Sequence, residues 1–141
     1  MKSKLILSQL LLPTVILLSA SSAHADSAAW YVDAAGDWAT DGNWNLAATP
    51  GATSGTTNTD TATFGSVITA DRIVTVDTGR NISVIDFNAN DKVYTLSGGS
   101  LVLSSAGIIK TSGAGATHNA DTISTPITLA NADAATSGTL S

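Results

Sequence analysis

Eleven carboxylates, two histidines and no cysteine make up the chain's stock of groups for acid–base, nucleophilic or metal chemistry. All eleven acids are Asp. Glycoside hydrolysis needs two carboxyls at a fixed separation, and the candidates for such a pair are Asp71, Asp77 and Asp86, with Arg72 or Arg80. Asp77 and Asp86 follow or interrupt apolar runs, where Asp commonly bonds nearby backbone to build a turn. The turn role is the stronger reading. Asp33, Asp37, Asp41 and Asn43 crowd hard oxygen ligands together, but their spacing matches neither a calcium-binding helix–loop–helix nor a glycine-rich calcium repeat. Gly98-Gly99-Ser100-Leu101 opens like that repeat and lacks its Asp. His118, in a Gly- and Ala-rich turn, has no Cys or second His downstream of residue 25 to share a zinc ion. No nucleophile elbow accompanies it. The sequence therefore predicts no catalytic residue, no metal ligand and no cofactor.

Three tryptophans, Trp30, Trp38 and Trp44, lie within fifteen residues of one another with Tyr31 beside the first. Exposed, such rings would form a carbohydrate-contact platform for a surface sugar. Buried, they would plug the first edge of a stacked sheet, which otherwise exposes core and unpaired backbone. The plug is favoured, because terminal repeats of such stacks need capping. Asn81-Ile82-Ser83 fits the N-glycosylation pattern, and is read as coincidence because the segment reads as a strand.

The elements that must position these groups begin after a leader. Lys2 and Lys4 precede a mostly apolar run from Leu5 to Leu18, and Ala23-His24-Ala25 fits a small-x-small cleavage site. This predicts a secretory signal peptide cut between Ala25 and Asp26. The run is too short and too interrupted, by Ser8, Gln9 and Pro13, to serve well as a membrane anchor. The mature chain would keep four basic residues against eleven aspartates, a net charge of −7. So acidic a chain has no electrostatic footprint for nucleic acid. Without disulfides its core must come from apolar side chains alone.

Composition predicts an all-β fold. Thr, Ser, Gly, Ala, Asn and Asp dominate, Glu is absent, and no window after Ala25 holds a helical period over three turns. Residues 26–60 read as a Trp-rich N-terminal cap and loop, with a short strand at Trp30 to Val32 and a linker-like stretch over 47–60. Residues 61–141 read as a strand-repeat region that stops inside a loop. Short apolar runs recur there at Thr61–Phe64, Ile73–Val76, Ile82–Phe87, Val93–Leu96, Leu101–Leu103, Ile108-Ile109 and Ile127–Leu129, separated by turn residues such as Thr78-Gly79 and Gly98-Gly99. Their inward residues are expected to be Phe64, Val74, Val76, Ile82, Val84, Phe87, Leu96, Leu101, Leu103, Ile127 and Leu129. Apolar centres recur roughly every 19 to 26 residues, as in one coil of a solenoid. A β-sandwich accommodates the same strand spacing. Periodicity leaves both open.

The ordered set Trp30, Gly36-Asp37-Trp38, Asn43-Trp44, Pro50, Asp60-Thr61-Ala62-Thr63-Phe64, Val74-Thr75-Val76-Asp77, Ile85-Asp86-Phe87, Tyr94-Thr95-Leu96-Ser97-Gly98-Gly99 and Leu101-Val102-Leu103 resembles the N-terminal part of bacterial autotransporter-associated β-strand repeat proteins. The resemblance implies a right-handed parallel β-helix passenger, displayed at or released from the cell surface or outer membrane. It further implies a non-catalytic display role, with adhesion to surface carbohydrate or a host or neighbouring cell as an option. A C-terminal β-barrel translocator is then expected on a longer chain, since no run of ten-residue amphipathic strands follows here. A polysaccharide-degrading β-helix enzyme is the remaining alternative, on fold analogy alone.

Overall fold

The computed structural model describes residues 26–88, 91–112 and 120–130. The expected signal peptide, its cleavage bond at Ala25 and His118 all lie outside the described residues.

The strands, in chain order, are β1 (Ala28–Ala29), β2 (Gly36–Asp37), β3 (Thr61–Phe64), β4 (Arg72–Val76), β5 (Arg80–Asn88), β6 (Tyr94–Gly98), β7 (Leu101–Ser112), β8 (Thr122–Ile123) and β9 (Ile127–Leu129). One 3-10 turn, Asp41–Asn43, is the only helical element among the described residues. The fold is all-β, as composition predicts.

Odd-numbered strands form one sheet in the order β1-β3-β5-β7-β9, and even-numbered strands form a second in the order β2-β4-β6-β8. Every strand-to-strand pairing is parallel. Consecutive strands thus enter different sheets, and each strand pairs with the one two places later. Among the described residues, antiparallel contact occurs only at two isolated bridges, Trp30 with Trp44 and Ala52 with Asn81. The hairpin-built sheets of an ordinary β-sandwich are not what these strands make.

Register aligns like residues in rows. Ala62, Ile85 and Ile109 are successive partners, as are Phe64, Phe87 and Thr111. In the second sheet Val74 pairs with Leu96 and Leu96 with Ile123. Between the sheets lies one core, including Phe64, Val74, Val76, Ile82, Ile85, Phe87, Tyr94, Leu96 and Leu101. Turns close where expected. Gly79 and Gly98 adopt positive φ of 74° and 95°, which glycine enters without steric cost. A Cβ on Gly99 would meet Asp77 and Thr78 backbone atoms at 2.5 Å, so only glycine passes over the preceding turn.

Eight of the eleven expected inward residues are buried, and three depart from expectation. Val84 is only half-buried, and its neighbour Ile85 takes the inward place. The cause is an irregularity between Ile82 and Val84, where the amides of Ser83 and Val84 both donate to the Asp60 carbonyl at 3.2 and 2.9 Å. A single extra residue in a strand flips every later side chain to the other face. Leu129 is half-exposed and Ile127 only partly buried, although they share rows with the buried Leu103 and Leu101. Their rows are right; no further strand covers them among the described residues.

Candidate functional site

The aromatic cluster is built by strand ends and the cap together. Phe64 closes β3 on the inward face, with the rings of Trp30, Trp38, Trp44, Phe87 and Tyr94 at 6.3, 5.6, 5.8, 5.5 and 5.1 Å from its centroid. Such separations are the favourable range for offset and edge-on ring pairs. Trp30, Trp38 and Trp44 retain 2%, 0% and 2% of their accessible surface. The Trp38 indole N–H donates to the Pro50 carbonyl at 2.9 Å, and that of Trp44 to the Trp38 carbonyl at 2.8 Å. No ring face is open to a pyranose, so Trp30, Trp38 and Trp44 cannot form the carbohydrate-contact platform. They are the plug. The expected strand at Trp30 to Val32 lies two residues earlier, at β1, and Trp30 instead bridges Trp44. Tyr31, pointing the other way along the extended chain, is the one exposed aromatic, at 64%.

The stretch 47–60 is a pinned strap rather than a free linker. Ala52 and Asn81 exchange backbone hydrogen bonds at 2.9 and 2.7 Å. The Gly51 amide donates to Asp60 Oδ2 at 2.7 Å, and the Gly51 carbonyl accepts from Arg80 Nη1 at 2.9 Å. The strap therefore covers the part of β5 that lies beyond the end of β3. Asn81 is fully buried beneath it, accepting from Ser104 Oγ at 2.7 Å and donating to the Thr57 carbonyl at 3.3 Å. Its amide cannot meet a glycan transferase in the folded chain.

Of the acids read as catalytic or calcium-binding candidates, Asp33, Asp41, Asp71, Asp77 and Asp86 each have the carboxylate engaged with separate structural partners, and Asp37 is held through its backbone. Asp77 holds Arg80 in a two-pronged pair at 2.9 and 2.8 Å. Asp71 caps the Val93 amide at 2.9 Å. Asp86, largely buried, accepts from Ser112 Oγ at 2.7 Å and pairs with Lys110 Nζ at 3.2 Å. Asp33 accepts from the Thr69 hydroxyl and amide at 2.6 and 3.0 Å and from Arg72 Nη2 at 2.8 Å. The Thr69 hydrogen bonds, assisted by Arg72, bring its pKa down to about 2. Asp41 accepts from Thr49, and the Asp37 carbonyl from Asn43 Nδ2. Among the described residues no three of His, Cys, Asp and Glu come together as a metal site.

A recess of about 500 Å³ opens between β7 and β8, lined by Phe87, Ile109, Lys110, Thr111, Ala120, Asp121 and Ile123. Its physical origin is the register. Thr111 follows Phe87 in its row, a small side chain after a large one, and Ile109 follows the buried Ile85 but is 38% exposed. Outside the recess Ile108 is half-exposed. Sequence reading did not single out Ile109, Lys110 and Thr111, although the apolar pair Ile108-Ile109 was visible as a strand signal. Tyr94, buried with its hydroxyl on the Gly65 carbonyl at 2.9 Å, was not among the expected inward residues either. Burial, with Asp121 close by, raises its pKa well above the usual phenol range. Comparison with protein-family models, curated proteins and solved structures gives no match.

Proposed function

We propose that the chain is an exported, non-catalytic passenger segment of an autotransporter-like cell-surface protein, folded as a right-handed parallel β-helix whose first edge is closed by the Trp-rich cap. Its work is to space or display other parts of a surface protein. The observation that carries this reading is the alternation of successive strands between two parallel sheets, with inward rows such as Ala62–Ile85–Ile109 running from strand to strand. A chain that climbs in this way satisfies each strand's backbone with the next and lengthens without redesign. The β5 irregularity divides that strand into 80–82 and 84–88, so each turn of the helix would have three faces. The aromatic cluster packed over the first described strands fits a closed starting edge, and the separately engaged carboxylates of Asp33, Asp41, Asp71, Asp77 and Asp86 fit a non-catalytic role.

An epitope inserted in the exposed stretch 53–56 of the chromosomal copy tests export. The expected result is labelling of intact cells or of the medium. Labelling only after lysis would overturn the reading. Release of reducing ends from neutral or acidic polysaccharides by the purified chain would instead favour an enzyme.

A further inference from the structure

Three stretches stand first in their ladders among the described residues: β1, β2 and residues 80–82 of β5. A strand in that position turns backbone amides and carbonyls away from the stack, where they are a template for another chain. One run, residues 43–52, takes up such groups on all three. In β1 the Ala29 amide donates to Asn45 Oδ1 at 2.9 Å, and the Ala29 carbonyl accepts from the Asn45 amide at 2.9 Å. Asn45 alone thus offers the acceptor and the donor that a paired strand would offer. In β2 the Asp37 carbonyl accepts from Asn43 Nδ2 at 2.8 Å. In β5 Asn81 donates to the Ala52 carbonyl at 2.7 Å and accepts from the Ala52 amide at 2.9 Å.

We propose that residues 43–52 are an end-stop against a second copy of this chain, and that lifting them from Asn81 lets two copies pair through residues 80–82. Two identical edges that meet about a two-fold axis run antiparallel. Ala52 already meets Asn81 in that sense, as an antiparallel bridge whose two residues exchange both hydrogen bonds. Asn81 of the second copy would therefore take the place of Ala52. The bend at Gly51 keeps Ala52 there. Gly51 has a φ of 84°, and a Cβ on it would meet the Asn81 carbonyl at 2.5 Å. Buried Asp60 and Arg80 hold its amide and its carbonyl, at 2.7 and 2.9 Å. The tryptophan plug shields apolar surface at this end, whereas the end-stop removes the hydrogen-bonding template. The inference goes beyond the passenger reading and does not depend on it.

Sedimentation equilibrium of the mature chain tests the end-stop. Gly51→Val sets a side chain against the Asn81 carbonyl, and Ala52→Pro removes the amide that donates to it. Each variant should sediment at twice the mass of the parent. Tyr94→Phe removes a buried hydrogen bond to Gly65 and leaves residues 43–52 alone, so it should sediment as the parent does. Asn81→Cys added to either strap variant should cross-link two copies on oxidation, since directly opposed residues lie about 5.5 Å apart. In the parent, where Ala52 covers that position, the same cysteine should stay reduced. Unchanged mass in both strap variants would overturn the end-stop. So would association without the cross-link, equal cross-linking in the parent, or doubling by Tyr94→Phe.

Discussion

Phe64→Ala is the perturbation that probes the capped end most severely. Phe64 is fully buried, and its ring lies between 5.1 and 6.3 Å from five others. Removing a buried Phe costs about 3–5 kcal/mol through lost transfer free energy and the cavity left behind. Each favourable ring pair is worth about 0.5–1.5 kcal/mol beyond burial, but the five share one ring and do not add. A loss of about 4–5 kcal/mol is therefore expected, at the upper part of the truncation range because three indoles cannot easily collapse into the gap. Against a total stability of about 5–15 kcal/mol for a domain of this size, that removes a third or more. Urea unfolding followed by tryptophan emission reads the loss directly, since all three indoles pack around the deleted ring. The midpoint should fall with the slope unchanged. A loss below about 1 kcal/mol would refute the aromatic cluster as the centre of the cap.

Three further outcomes follow from particular contacts. Ile85→Asp should abolish folding, since it exchanges a buried side chain for a carboxyl in an apolar row, a cost above about 5 kcal/mol. Val84→Asp, on the half-buried side of the irregularity, should cost about 1 kcal/mol by circular dichroism melting; equal effects would show that the inward face is misassigned. Asp33 is held at a pKa of about 2, so its contribution is present above the unfolded value near 4 and is lost as pH falls through 2. Asp33→Asn should therefore lower the melting temperature at pH 7 and narrow its gap from the parent below pH 2; a gap that widens on acidification contradicts this. Intrinsic fluorescence of the native chain should be blue-shifted and resistant to iodide, and a red-shifted, quenchable spectrum would mean that the indoles are not buried.

Much of the fold is visible in the sequence because short β strands announce themselves locally. Thr61–Phe64 alternates, Gly79 and Gly98 punctuate, and three tryptophans among turn residues make sense only as a plug or a platform. What escapes is whatever depends on a partner distant in the chain. The shift at Ser83 arises from the Asp60 carbonyl, more than twenty residues earlier, so no local alternation could place Ile85 inward and Val84 outward. The same holds for Tyr94, whose hydroxyl finds Gly65, and for 47–60, whose polar, Gly-rich composition looks like a linker until Asp60 and Arg80 pin it. The acids mislead in the opposite direction. Asp33 and Asp41 lie close in sequence, yet one turns to Thr69 and Arg72 and the other to Thr49, so crowding along the chain does not become a site.

Because the chain contains no cysteine, introduced pairs report the stacking of β4 on β6 without interference. Ile73 and Thr95 are direct parallel partners, as are Thr75 and Ser97. Partners on adjacent strands fall within the roughly 4.4–6.8 Å Cα separation that a disulfide needs. The parallel strand-on-strand account predicts rapid, complete oxidation of the Ile73→Cys/Thr95→Cys variant. The offset Ile73→Cys/Ser97→Cys variant should stay reduced under the same conditions. Bridging of the offset pair, or failure of the aligned one in a folded chain, would contradict it.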